Sequence, residues 1–460
     1  MKKLNFLFRI SFLYTMLLFA GCGSIPGSED SQQYIIDVTG APIVFNCSKS
    51  YSFAGYYANE ENDTVSLAVS AGDLIYLQLI GDEILCYRYN PSDGLNLSIR
   101  YDTIYDRFYL NNELTSVRLS EGSAAWDWLI GADEEILTGI RSFYISLPLS
   151  EAEINSLEMI SGVISNPGLF IEGDSLLEEV LSLIKPGWLI AEDLNYSTIS
   201  DDTKANLKHL ELLWHSGADS IDLDFLYGLP ELNSLIIEYW DSTDITDFQF
   251  AKLKSLESLS IIESDIHDLS PIAALSKIRN LNIVYCETLK EIGSVADLAG
   301  ITCLGLTGCQ NIIDIPAILQ IPQLTRLSVP GNTSQMEFAD IISRHNALQV
   351  LELVSCDSIT DLSPLEDYSG LKALTLDLNV SDLKPVCQLT GLELLVLSED
   401  FFEDSLAITE IQQAMPDTRI VAGGGFCLGS GWILLLVPAI IVLVILRKKF
   451  TGSRFARVNR

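Results

Sequence analysis

Between Leu207 and Leu397 the apolar residues fall into one fixed phrase: an apolar residue, two variable ones, an apolar residue, one variable one, and a third apolar residue. The phrase occurs nine times at spacings of 21 to 25 residues. Its register reads Leu207/Leu210/Leu212, Leu232/Leu235/Ile237, Leu256/Leu259/Ile261, Ile278/Leu281/Ile283, Ile301/Leu304/Leu306, Leu324/Leu327/Val329, Leu348/Leu351/Leu353, Leu371/Leu374/Leu376 and Leu392/Leu395/Leu397. The alternation at the end of the phrase is that of a strand. One short strand and its return segment cannot bury their own apolar face, so units of this kind stack and share a continuous core. Each apolar position is therefore a predicted core residue.

Three places beyond the last apolar position stand Cys286, Cys309, Asn332, Cys356 and Asn379, side chains that can satisfy backbone groups where the strand turns away. The same place in the earlier repeats holds His215, Trp240 and Ser264. Several repeats then read Ile or Val, a variable residue, Asp, Leu, a variable residue and Pro, as in Ile266 to Pro271, Ile359 to Pro364 and Val380 to Pro385. The pattern resembles bacterial leucine-rich repeats of the internalin-like class. That resemblance implies a solenoid with a parallel concave sheet and extended or 3₁₀ convex segments, and it covers only the repeat region. It is specific for fold and says little about function.

Weaker copies extend the array upstream: Ile140/Phe143/Ile145, then Leu169 and Ile171, then Leu189 and Ala191. Helix-like runs at Ser150 to Ile160 and Leu176 to Ile184 predict true helices on the convex side there. Ile411 to Val421 reads as a last helix and closing strand, which brings the expectation to about 12 or 13 parallel strands and a sheet on the order of 55 to 60 Å long.

Tyr34 to Leu119 follows a different grammar. Thr64 to Val69, Leu74 to Ile80, Glu83 to Tyr89 and Leu95 to Tyr101 read as strands, with Gly81-Asp82 and Pro91 to Gly94 as turns. A small antiparallel β domain over 34–120 is expected, then a capping helix within 121–138 that shields the edge of the first repeat, then repeats over 139–421.

The two ends of the chain point to an envelope. Residues 1–22 join a basic start, an apolar stretch from Ile10 to Ala20 and the approach Ala20-Gly21 to Cys22. This is a signal peptide, and its end resembles a bacterial lipobox, which implies acylation of Cys22; ordinary cleavage with an incidental Cys22 is the alternative. Residues 23–33 fit a tether. At the other end Ile420 to Leu446 carries no charge, and the apolar run Trp432 to Leu446 precedes six basic residues without an acid. It predicts a transmembrane helix over 432–446 with a basic cytoplasmic tail, 447–460, behind a Gly-rich hinge at 422–431. Gly423 to Gly425, the apolar run and the basic cluster together resemble the sorting signals of bacterial surface proteins, with a plain anchor as the alternative. Cys427 is either a second acylation site or a tolerated apolar residue.

Formal charge is −34, and nine of the 28 basic residues but none of the 62 acids lie in those terminal segments. The body between them is more acidic still, which disfavours nucleic acid and anionic membranes as partners. No spaced Asp/Asn loop specifies calcium. The nine cysteines do not form a disulfide framework, since Cys286, Cys309 and Cys356 fall on the repeat ladder; only Cys47 and Cys86 make a plausible pair.

No catalytic constellation is visible. The four histidines lack metal-ligand spacing, and no nucleophile elbow or phosphate-cradling loop is present. The chain is expected to be no enzyme and to need no cofactor. A binding surface is expected on the concave strand positions, with Leu213, Trp214, Ile236, Glu238, Tyr239, Ile262, Val284 and Tyr285 as an exposed, partly aromatic partner site. The alternative is that these side chains merely pack along the sheet. The function expected is an envelope-anchored binding or adhesion protein with a protein ligand; a structural or assembly factor holding another secreted protein is the runner-up.

Overall fold

The computed structural model describes residues 105–423, apart from 111–112, 174–175, 193–198, 217–222, 240–248, 379, 381, 399–400 and 402–404, together with six strands within 33–102. The six are β1 (Gln33–Asp37), β2 (Tyr56–Asn59), β3 (Thr64–Leu67), β4 (Leu74–Gln78), β5 (Ile84–Arg88) and β6 (Asn96–Asp102). β7 (Arg107–Leu110), β8 (Glu113–Leu119), β9 (Ser142–Ser146), β10 (Gly168–Glu172), β11 (Trp188–Glu192), β12 (Leu212–Ser216), β13 (Ser234–Glu238) and β14 (Ser258–Ile262) follow. The rest are β15 (Asn280–Val284), β16 (Cys303–Gly305), β17 (Arg326–Ser328), β18 (Val350–Val354), β19 (Ala373–Asp377), β20 (Leu394–Ser398) and β21 (Arg419–Gly423).

From β8 to β21 each strand pairs in parallel with the next. The register is constant: Phe143, Leu169, Leu189, Leu213, Leu235, Leu259, Leu281, Leu304, Leu327, Leu351, Leu374 and Leu395 stand opposite one another. All belong to one apolar cluster behind the sheet. Fourteen parallel strands at about 4.8 Å each make a face roughly 60 Å long.

The return segments explain the sequence motif after each strand. In the later repeats they are short 3₁₀ turns, such as Ser270–Ala274, Ile315–Gln320 and Ser363–Leu365, each with a proline in its first turn. The motif aspartate sets up the turn: Asp268, Asp361 and Asp382 each accept the backbone N–H two residues on, at 2.8, 2.8 and 2.9 Å. The early repeats carry the predicted helices, Glu151–Ser161 and Leu177–Leu183. A helix at Gln335–Arg344 interrupts the 3₁₀ series, held by a capping box between Ser334 and Glu337.

Two expectations need correction. The first strong repeat reads Leu210/Leu213/His215, not Leu207/Leu210/Leu212, because Leu213 stands opposite Leu235 and His215 opposite Ile237. Leu207 instead opens a 3₁₀ turn, Leu207–His209, that follows the helix Asp201–Asn206. A buried histidine in the last core position masks the true register from an apolar pattern.

The N-terminal strands also share their sheet with the repeats. β6, β7 and β8 are antiparallel neighbours, and β8 then pairs in parallel with β9. β8 therefore covers the edge assigned above to a capping helix. The run expected as that helix forms two, Ala125–Gly131 and Glu134–Gly139, broken by extended backbone at Ala132 and Asp133. They lie on the crossover between β8 and β9. β4 and β5 form the expected hairpin.

Residues 1–22, Cys22, the span at 432–446, Cys427 and Asn379 lie outside the described residues, as do Cys47 and the side chain of Cys86. Among the described residues no helix is long and apolar enough to cross a membrane.

Candidate binding face

Because side chains alternate along a strand, the neighbours of each core leucine point to the opposite face, which is the concave one in such a solenoid. Three rows run across it. One row carries Trp188, Leu212, Ser234, Ser258, Asn280, Cys303, Arg326 and Val350. The middle row carries Tyr144, Phe170, Ile190, Trp214, Ile236, Ser260, Asn282, Gly305, Ser328, Glu352 and Thr375. The third carries Glu238, Ile262 and Val284.

The early half of this face is apolar. Tyr144, Phe170, Trp188, Ile190, Leu212, Trp214, Ile236 and Ile262 form a second cluster, separate from the core, with Val284 at its border. Tyr144 and Phe170 meet edge to face, with centroids 4.5 Å apart. The Trp188 indole lies where a Cβ on residue 168 would stand, so Gly168 is needed there. Trp214 Nε1 donates to Glu238 Oε2 at 3.1 Å, and Tyr144 Oη donates to Glu172 Oε2 at 2.8 Å.

The late half is polar and small. The Thr307 and Ser328 hydroxyls are 2.6 Å apart, Arg326 Nη2 pairs with Glu352 Oε1, and Asn282 leans over Gly305. Three outward polar atoms, Ser260 Oγ, Asn280 Oδ1 and Arg326 Nη1, are buried without a hydrogen-bond partner. At the leading ends of β9 to β13, Arg141, Asn166, Gly187, Trp188, His209, Glu211 and Glu231 line a shallow cleft of about 450 Å³. In it His209 Nδ1 lies 3.2 Å from Glu231 Oε1, both side chains exposed.

The residues singled out from sequence do not form one exposed patch. Leu213 faces the core. Trp214, Ile236 and Ile262 do face outward but are no more than 4% exposed, because same-row side chains on strands this close cover one another. Glu238 is buried and accepts a hydrogen bond from the Trp214 indole. Tyr239 and Tyr285 belong to none of the three rows: each ends its strand in the left-handed region, at φ 56° and 52°. The Tyr285 ring lies against Gly308, and its hydroxyl pKa is raised by burial and further by Asp377 and Glu263. Sequence reasoning missed the first row entirely, Asn280 and Arg326 included. The alternation that marks Ser260 and Asn282 marks it equally, since it extends to both sides of each core leucine.

Among the described residues no three His, Cys, Asp or Glu side chains could hold a metal ion. Burial pushes the Cys309 and Cys356 thiols up to about 12 and the Cys286 thiol higher, so none is a ready nucleophile.

The architecture is that of a leucine-rich repeat solenoid. No family model matches the sequence, and no curated protein matches it. Solved structures with a partial likeness include an internalin from Listeria monocytogenes, at 18% identity over 56% of this chain and 80% of that one, with a TM-score of 0.37. An internalin C2 from the same organism has 22% identity over 43% of this chain and 87% of that one, with a TM-score of 0.34. A leucine-rich repeat protein of Leptospira interrogans has 16% identity over 67% of this chain and 90% of that one, with a TM-score of 0.36. Overlaps this loose say nothing about ligands.

Proposed function

We propose that the chain is a non-enzymatic binding protein of a bacterial envelope, which engages a polypeptide partner along the strand face opposite its core. One observation carries this reading: that face bears buried polar groups, Arg326 and Glu352 among them, that the stacking of repeats does not require. A solenoid face with no partner would be simplest as hydroxyls and short apolar residues, because buried charges weaken a fold unless something is gained by them. Envelope anchoring rests on the sequence of the two ends, the lipobox-like approach to Cys22 and the uncharged run before the basic tail.

Photo-cross-linking tests the reading. A photoreactive amino acid replaces Val284, at the border of the apolar cluster, or Met336, which is exposed at the start of the Gln335–Arg344 helix. In envelope extracts the Val284 variant should capture a discrete polypeptide and the Met336 variant should not. Capture from position 336 alone, or from neither, would move the site off the strand face.

A further inference from the structure

At its head, over β7 to β9, the strand face is covered by something other than the repeats. Val117 on β8 points into the core, so Ser116 beside it points to the strand face, and Phe108, opposite Ser116 on β7, points the same way. Phe108 is 1% exposed and Leu110, two residues on, 3%; Ser116 is 3% exposed and Ser142, opposite it on β9, 1%. Phe108 and Leu110 belong to neither of the two apolar clusters described above. The helices Ala125–Gly131 and Glu134–Gly139 pack on β8 from the core side, where Trp126, Leu129 and Leu137 join Val117. The strand that comes close to both β8 and β9 without pairing to either is β5. Since β8 is already paired on both edges, with β7 and with β9, the β4–β5 hairpin lies across the strand face and not beside it.

The place where it lies has a low floor and high sides. Ser116 and Ser142 stand between Phe108 on one side and, on the other, the Trp188 indole that lies over Gly168. Two serines between aromatic rings make a trough. In the hairpin Ile75 stands opposite Tyr87 and Leu77 opposite Leu85, so one side of it is apolar throughout by register. The hairpin is a two-stranded sheet of its own, with no ladder bond to the large sheet. Such a hairpin is marginally stable alone, so docking in the trough holds it together, yet it can leave without breaking a ladder. Its connections to β3 and β6, residues 68–73 and 89–95, can each span about 20 Å, enough to carry it clear while those strands stay paired.

We propose that the β4–β5 hairpin is a lid on the binding face, and that the polypeptide partner displaces it by laying an extended apolar segment of its own in the trough. The proposal rests on the strand face being the binding face. Displacement joins Phe108 and Leu110 to the apolar strip that begins with Tyr144, Phe170 and Trp188. An apolar strip of that extent needs a cover, and the hairpin covers its head until a partner arrives.

Two measurements on the full chain test the lid. A leucine-sized diazirine amino acid at Leu110 should cross-link within the chain to residues 74–88 on peptide mapping, and the same group at Val350, further along the face on β18, should not. The double variant Leu77→Asp, Leu85→Asp should lift the hairpin: binding of an apolar fluorescent dye should rise severalfold while the main unfolding transition of the repeats keeps its midpoint. No cross-link from position 110 to 74–88, unchanged dye binding, or a main transition that collapses with the variant would each overturn the proposal, the last because the hairpin would then be part of the core. Photo-cross-linking from Val284 separates the lid from the reading it rests on. Stronger capture of the partner by the lifted variant than by the wild type supports displacement, and equal capture by the two overturns it. Capture by neither removes the binding face, while the Leu110 cross-link and the dye still decide where the hairpin sits.

Discussion

At the scale of single residues, the repeat ladder makes its thiols sensitive to alkali. Cys286 Sγ donates to Ile261 O and Cys309 Sγ to Ile283 O, each tying a turn to the preceding strand. A thiol in the unfolded chain ionises near pH 8.5. In the fold burial raises Cys309 and Cys356 to about 12, so between those values the unfolded chain holds fewer protons than the native one. The stability these thiols lend is therefore complete below about pH 8.5 and is lost as pH rises, at roughly 1.4 kcal/mol per pH unit for each. The urea midpoint should fall between pH 8 and pH 10 and should fall less in a variant with Cys286, Cys309 and Cys356 all replaced by Ser. Equal slopes in the two proteins would refute the assignment. Leu304 and Leu327 test the register more directly. Each is at most 1% exposed within the shared core, so Leu304→Asp or Leu327→Asp should cost several kcal/mol and lower the thermal midpoint sharply. A variant that melts like the wild type would mean that the strands are out of register.

At the scale of elements, the return segments differ in what holds them, and the sequence shows only part of it. The 3₁₀ turns were legible because Asp and Pro stand at fixed offsets and each acts locally, through an Asx turn and a fixed φ. The helix Gln335–Arg344 was not foreseen, although its signal, Ser334 followed by Glu337, is plain in hindsight: it lies where the neighbouring repeats carry 3₁₀ turns. Ser334 Oγ accepts from Glu337 N at 3.3 Å and Glu337 Oε2 accepts from Ser334 N at 2.9 Å. At the other end His345 is fully buried, with Nδ1 2.8 Å from Ile341 O and Nε2 3.1 Å from Ile318 O, which links the helix to the preceding turn. Ser334→Ala should cost about 1 kcal/mol. His345→Leu should cost more, because it removes the buried polar link between the helix and the preceding turn, although the Ile341 and Ile318 carbonyls keep their backbone donors. Urea denaturation ranks the two, and the reverse order would mean that the helix is held by its cap alone. The binding rows were read less well than the core for a related reason. A core position announces itself by being apolar in every repeat, whereas Asn280 and Arg326 share nothing but their phase relative to Leu281 and Leu327. The same weakness let the first repeat slip by three residues at His215.

At the scale of the whole molecule, the N-terminal strands other than the β4–β5 pair share one sheet with the repeats, so these strands should unfold as units coupled to the solenoid and not as a small β domain beside it. The junction is β8, which pairs antiparallel with β7 on one side and parallel with β9 on the other. Anchoring belongs to the same scale. Under the proposed anchoring, a lipid at Cys22 and the uncharged run before the basic tail would each tie the chain to a membrane. Loss of either anchor then has a separate signature. Cys22→Ser should abolish metabolic labelling with a fatty acid and leave an unprocessed precursor, while truncation after residue 431 should leave labelling intact and release nothing into the medium, because the lipid alone still holds the chain. Unchanged labelling of the Cys22→Ser protein would move the lipid elsewhere, and Cys427, beside the Gly-rich stretch, is the next position to test. Labelling kept in the Cys22→Ser protein but lost in a Cys427→Ser protein would then assign the lipid to that second cysteine and leave the N-terminus as an ordinary cleaved signal.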